Sequence, residues 1–254
     1  MEEEFSLLTE DFRNGVDQAV KEGKVISFIT YVLGDSGEAK LKYILTTILN
    51  KYQRIDLMEL LYTASKELIV NSTKAAIKRI IFQELDLDPV KMTDYDTGMG
   101  SFKENLSDKK FPYYRGKMKS NNLHVKVKFV YCQDKIVLKI INNFALLAKE
   151  EQRIREKFIK AKKYDNLFEF YMEHGDNTEG AGMGITMVEI LMAQSGFDRH
   201  MFTIYSSEQL HETVAKIEIP INPDYKPKRS EFEDYVMNTK ASFEQLRAEH
   251  GGSK

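Results

Sequence analysis

The run Glu67, Leu68, Ile69, Val70, Asn71, Ser72, Thr73, Lys74, Ala75, Ala76 is mostly apolar or small, as in a helix packed on a sheet. Its polar side chains are ordered. At about 100° per residue, Glu67, Asn71, Lys74 and Lys78 fall within roughly 60° of one another, on one narrow stripe. A carboxylate, a carboxamide and two amines on one line can polarise a water, hold a hard cation through oxygen and neutralise phosphate. The same stripe also describes an ordinary solvated face, and the ten residues alone do not separate the two readings.

Outward from this stretch, the chain alternates helical and strand signals. Phe5 to Val20 carries apolar residues at spacings of three and four, which predicts an amphipathic helix ending near Gly23. Val25 to Leu33 reads as a strand that stops at Gly34 to Gly37, and Glu38 to Tyr52 as helix. The helix holding the stripe extends from about Ile55 to Glu84 and is closed by Pro89. Pro89 to Asn122, with Gly98, Gly100, Pro112 and Gly116, reads as an irregular insertion. Leu123 to Tyr131 and Ile136 to Ile141 predict a hairpin, and Lys149 to about Tyr171 a charged helix. An apolar helix from Ile185 to Ser195, a second hairpin over 201–206 and 213–219, and a helix from Ser230 to Arg247 complete the chain. Helices first and antiparallel pairs later favour an α/β (α+β) sandwich over a doubly wound parallel sheet.

Composition narrows the function classes. The 254 residues are 42% hydrophobic and 30% charged, with 37 Lys and Arg against 39 Asp and Glu and a net charge of -2. Gross charge therefore gives no argument for a nucleic-acid or membrane-surface binder. No apolar run approaches the roughly 18 residues of a membrane span, and an acidic start at Met1 to Glu10 is unlike a secretion signal, so the expected location is cytoplasmic. The single cysteine, Cys132, cannot found a disulfide framework or a cysteine zinc site. None of the five histidines pairs with another at the helical spacing of a metal site.

Glu179, Gly180, Ala181, Gly182, Met183, Gly184, Ile185 sets glycines at every second position directly before a helix. Backbone N–H groups and the helix dipole at such a place favour an anion, and glycine permits close backbone approach. A flexible loop has the same composition. No Lys followed by Ser or Thr closes the segment, so it is not a Walker A loop, and it lacks the preceding strand of a dinucleotide fingerprint.

In this order, the two segments resemble the gyrase, heat-shock chaperone, histidine kinase and MutL superfamily of ATP-binding domains, with histidine kinase-like domains the nearest likeness. Glu67, Leu68, Asn71, Ser72 and Ala75 look like that family's N box. Gly180, Gly182 and Gly184 look like its later glycine box, and Glu212, Thr213 with Ile219, Pro220 like its closing strand. The resemblance spans about Ile55 to Pro220 and implies a Bergerat-type mixed sheet with helices on one face and ATP under a lid. It implies three parts: a helix-strand-helix extension over 1–54, the ATP-binding domain over 55–220, and a helical tail over 221–254. By carry-over, Asn71 holds Mg²⁺ and Glu67 activates water or a hydroxyl nucleophile. Lys74 and Lys78 meet phosphate, Gly180, Gly182 and Gly184 line the nucleotide, and Thr213 supports the adenine end.

One box departs from the pattern. Where the family has an Asp followed by spaced glycines, this chain reads Ile140, Ile141, Asn142, Asn143, Phe144, Ala145. Asn142 can accept the adenine amino hydrogen but carries no charge, and Phe144 and Ala145 stiffen the loop and can fill part of the base pocket. No histidine precedes the N box, so autophosphorylation in the manner of sensor kinases is not expected. The resemblance implies a stand-alone Mg-nucleotide-binding domain in signalling, acting on or through a protein partner, with slow ATP hydrolysis or serine phosphotransfer as its enzymatic forms. The alternative is a degenerate interaction module that no longer binds nucleotide, with its flanking helices serving docking or homodimerisation.

Overall fold

The computed structural model describes residues 5–174 and 183–239. Helix α1 (Glu10–Glu22) opens where Thr9 Oγ1 accepts the Phe12 N–H at 3.3 Å. It closes on Gly23, whose φ of 70° is the left-handed cap that glycine adopts without strain. Strand β1 (Ile26–Thr30) and helix α2 (Asp35–Lys51) follow, then the long helix α3 (Met58–Glu84) that carries the polar stripe. Strands β2 (Val125–Tyr131) and β3 (Lys135–Asn142) form the first hairpin; β4 (Phe202–Ser207) and β5 (Glu212–Pro220) form the second.

The five described strands form one sheet in the order β1-β2-β3-β5-β4. Every neighbouring pair is antiparallel, so the sheet expected to be mixed is antiparallel throughout these residues. The architecture is an α+β sandwich. Alternation along the strands separates the two faces. Val127, Phe129, Leu138, Ile140 and Ile217 are buried on the inner face, in one hydrophobic cluster with Leu41, Ile48, Leu61, Leu68, Ile69, Val188 and Met192 from the helices. Outer-face residues Ile29, Val130, Val137, Ile141 and Val214 join none of the hydrophobic clusters among the described residues. Among the described residues, the helices of the central cluster pack on the inner face. The strand and helix of residues 1–54 share this core, with β1 paired to β2 and α2 in the central cluster.

The insertion expected to be irregular is helical. It holds α4 (Met92–Asn105) and α5 (Phe111–Ser120). Glycine misleads here because Gly98 is a contact point: a Cβ on it would lie 2.4 Å from two atoms of the Phe82 ring, so the missing side chain lets α4 close on α3. Pro112 sits in the first turn of α5, where a missing N–H costs nothing. The charged helix expected from Lys149 to Tyr171 is two helices, α6 (Ala148–Ala161) and α7 (Leu167–His174). Arg199 marks the break, donating to the carbonyls of Ala161 and Tyr164, each at 2.7 Å. Helix α8 (Gly184–Gln194) packs against α3 and α6, and α9 (Lys228–Thr239) follows the sheet. No helix among the described residues is long and apolar enough to cross a membrane.

Candidate functional site

Helix α3 crosses the sheet with Leu68 and Ile69 in the core, which leaves Glu67 and Asn71 facing the start of α8. There Gly184 approaches so closely that a Cβ on it would lie 2.5 Å from Asn71 Nδ2 and 2.6 Å from Glu67 Oε2. Glu67, Asn71 and Gly184 therefore meet across two helices. Asn71 Nδ2 is buried and has no hydrogen-bond partner among the described residues. An orphaned buried amide is costly unless something outside the protein completes it.

Lys74 lies one turn further along α3, near Lys157 of α6. Arg153 and Lys74 both depress the Lys157 ammonium pKa, after burial, which is the larger cause. Among the described residues, none of Lys74, Arg153 and Lys157 has a carboxylate within ion-pair distance. Lys78 and Arg79 do have one. The Glu150 carboxylate, 6% exposed, pairs with Lys78 through Oε1 and with Arg79 Nη2 through Oε2 at 2.9 Å. Burial first, then Arg79, Arg153 and Lys157, pull the Lys78 ammonium down to about 7, and burial brings Arg79 to about 10. Two basic α3 side chains share a single carboxylate.

The segment that replaces the family's first glycine box is tied down along its length. Asn142 is buried and its Nδ2 donates to the Ser72 carbonyl at 3.1 Å. Asn143 Oδ1 accepts the His124 N–H, and Thr213 Oγ1 donates to the Phe144 carbonyl at 2.7 Å. Arg79 donates to the Ala145 carbonyl at 2.7 Å and its guanidinium lies 3.7 Å from the Phe144 ring centroid. Leu146 N–H donates to Ser206 Oγ at 2.9 Å, and Leu147 N–H to Glu150. A cavity of about 290 Å³ opens beside Lys78 and Arg79, with Phe82, Leu87, Ala145 and Leu147 among its walls.

Of the residues singled out in the sequence, Glu67, Asn71 and Gly184 are in contact and Lys74 stands beside them on the cationic side. Asn142 and Thr213 are opposite one another in register on β3 and β5. Lys78, expected at phosphate, is engaged by Glu150. Gly180 and Gly182 lie outside the described residues, as does the tail beyond Thr239. Arg79, Glu150, Arg153 and Lys157 belong to the site and carry no motif. Their one signal is Arg153 and Lys157 at i, i+4, a like-charge pair that an isolated helix disfavours.

The oxygen donors here are few, a carboxylate from Glu67 and a carboxamide from Asn71. Among the described residues no group of three or more His, Cys, Asp or Glu could hold a metal ion. Mg²⁺ keeps several waters and needs few protein ligands when phosphates supply the rest. Turning the Asn71 carboxamide over places its oxygen, a hard-cation donor, at the same buried and unpartnered position.

Comparison with known proteins gives one relative of undefined activity. An uncharacterized protein of Treponema pallidum (strain Nichols) is 29% identical over 197 residues, covering 78% of this chain. The alignment spans 38% of that protein's length. No family model matches the chain, and no solved structure matches it.

Proposed function

We propose that the protein is a Mg-nucleotide-binding domain of the histidine kinase-like ATPase type, with ATP as its ligand. The reading rests on one observation: the start of α8 is seated on Glu67 and Asn71, with Lys74, Arg153 and Lys157 alongside, none of them paired with a carboxylate among the described residues. In this reading Asn71 holds Mg²⁺, which when bound neutralises phosphate charge. Lys74, Arg153 and Lys157 take the phosphates. Gly184 offers the N-terminal end of α8 to them, and Gly180 and Gly182 are assigned to the nucleotide by the resemblance alone. Asn142 and Thr213 border the adenine end, and Glu67 orients a water or a protein hydroxyl for slow hydrolysis or serine phosphotransfer. The setting that goes with this chemistry is cytoplasmic signalling through a protein partner.

A second reading has its own support. Arg79 lies over Phe144, and residues 142–147 are fixed by side-chain bonds, so the base pocket is narrowed from within. That favours a degenerate interaction module without nucleotide. Thermal melts with ATP, ADP, GTP and a nonhydrolysable ATP analogue, each with and without Mg²⁺, separate the two, because a ligand selective for the folded state must raise its melting temperature. A Mg²⁺-dependent adenine-nucleotide shift supports the first reading; no shift with any nucleotide supports the second. Turnover lost in Glu67→Ala with binding retained assigns chemistry to that carboxylate.

A further inference from the structure

Glu150 is an unusual buried charge. Its carboxylate accepts from a guanidinium (Arg79 Nη2 at 2.9 Å and Nη1 at 3.4 Å), an ammonium (Lys78) and a backbone amide (Leu147 N–H at 3.0 Å). An arginine fork, a lysine and a main-chain N–H at a helix start are the donors that proteins gather around phosphate. Charge balance points the same way. Lys74, Lys78 and Arg79 of α3 and Arg153 and Lys157 of α6 form one electrostatically coupled basic group, with a cavity opening at Lys78 and Arg79, and Glu150 is the one carboxylate paired with any of them among the described residues. A tie that served only to join α6 to α3 would need one cation. Here the anion site is built for more negative charge than a carboxylate carries.

We propose that Glu150 is an internal stand-in for ligand phosphate: it closes the Lys78 and Arg79 donors in the free protein and is displaced when a polyphosphate enters between α3 and α6. The proposal rests on the nucleotide-binding reading of this site and adds its regulation. Displacement frees the first turn of α6, because the same Glu150 Oε2 accepts the Leu147 N–H. It also loosens the Phe144 and Ala145 segment, which Arg79 holds from the other side. Ligand entry and opening of the narrowed base pocket are thereby one event. The free protein is its own weak inhibitor.

The test is calorimetric titration of wild type, Glu150→Gln and Glu150→Asp with two probes: inorganic tripolyphosphate, and a nonhydrolysable ATP analogue with Mg²⁺. Removing a competing internal charge should tighten tripolyphosphate binding by about tenfold or more in Glu150→Gln. Glu150→Asp retains the charge and the fold but shortens the reach, and should tighten binding by a smaller factor. Unchanged or weaker tripolyphosphate binding in both variants would overturn the proposal, as would no binding by any of the three proteins. If tripolyphosphate binds more tightly to the variants while the ATP analogue binds none of the proteins, the stand-in role holds and the nucleotide reading fails.

Discussion

Gly184 has no side chain to keep α8 away from α3. A Cβ there would overlap the ends of the Asn71 and Glu67 side chains, which must move aside and take the polar atoms of the site with them. Gly184→Ala is expected to cost about 1–3 kcal/mol of stability and to weaken ligand binding more than a distant substitution of equal cost; chemical denaturation alongside titration checks both. Glu189, on α8, is buried, with Oε1 3.8 Å from Arg199 and Oε2 without a partner among the described residues. Burial raises its pKa from 4.5 to about 7 against the pull of Arg199 and Lys162. The folded state then keeps a proton that the unfolded chain releases, so this group erodes stability as pH rises from about 4.5 through about 7. Glu189→Gln should therefore stabilise at pH 8, by roughly 1–3 kcal/mol, and do little at pH 4; melts at the two pH values decide it. Helical spacing put Glu67 and Asn71 on one stripe and the alternating glycines singled out Gly184, and the structure brings the three together. Glu150 was not legible in the sequence, because it lies 71 residues from Arg79, and no local pattern says which carboxylate reaches which cation.

On the sheet, alternation was the readable signal. Val125, Val127 and Phe129 announce an inward face, and the structure buries all three. The intervening positions carry a feature that only strand register exposes: Lys128, Lys139 and Lys216 stand directly opposite one another on β2, β3 and β5. Like charges facing across strands oppose pairing. Lys139→Gln is expected to raise stability by about 0.2–1 kcal/mol at low salt, and the gain should vanish near 1 M salt, where the screening length is about 3 Å. Melting temperatures at two ionic strengths measure this. The insertion over residues 89–122 was misread for the opposite reason. A glycine that breaks a helix and a glycine that lets two helices touch are the same letter, and Gly98 is the second kind.

Across the described residues, α1, α2 and the strands that follow α5 contribute to one core. Leu41, Ile44, Leu45, Ile48 and Leu49 of α2 are almost completely inaccessible and share a cluster with Leu138 and Ile217 of the sheet. Ile69→Ala or Leu138→Ala should each cost about 2–5 kcal/mol, in a single unfolding transition reported alike by near- and far-ultraviolet circular dichroism. Two separate transitions would contradict a shared core. The sandwich class was readable because helices and hairpins segregate along the chain. Sheet order and the closure of α6 on α3 were not, since both are set by contacts far apart in sequence.

The most direct measurement is calorimetric titration of a nonhydrolysable ATP analogue, with and without Mg²⁺, into the wild type and Asn71→Ala. Saturable binding that requires Mg²⁺ and falls at least about tenfold in the variant, a loss of about 1.4 kcal/mol, is the expected result. Absence of binding to the wild type, or equal binding to a folded Asn71→Ala, would contradict the assignment of this site to a Mg-nucleotide.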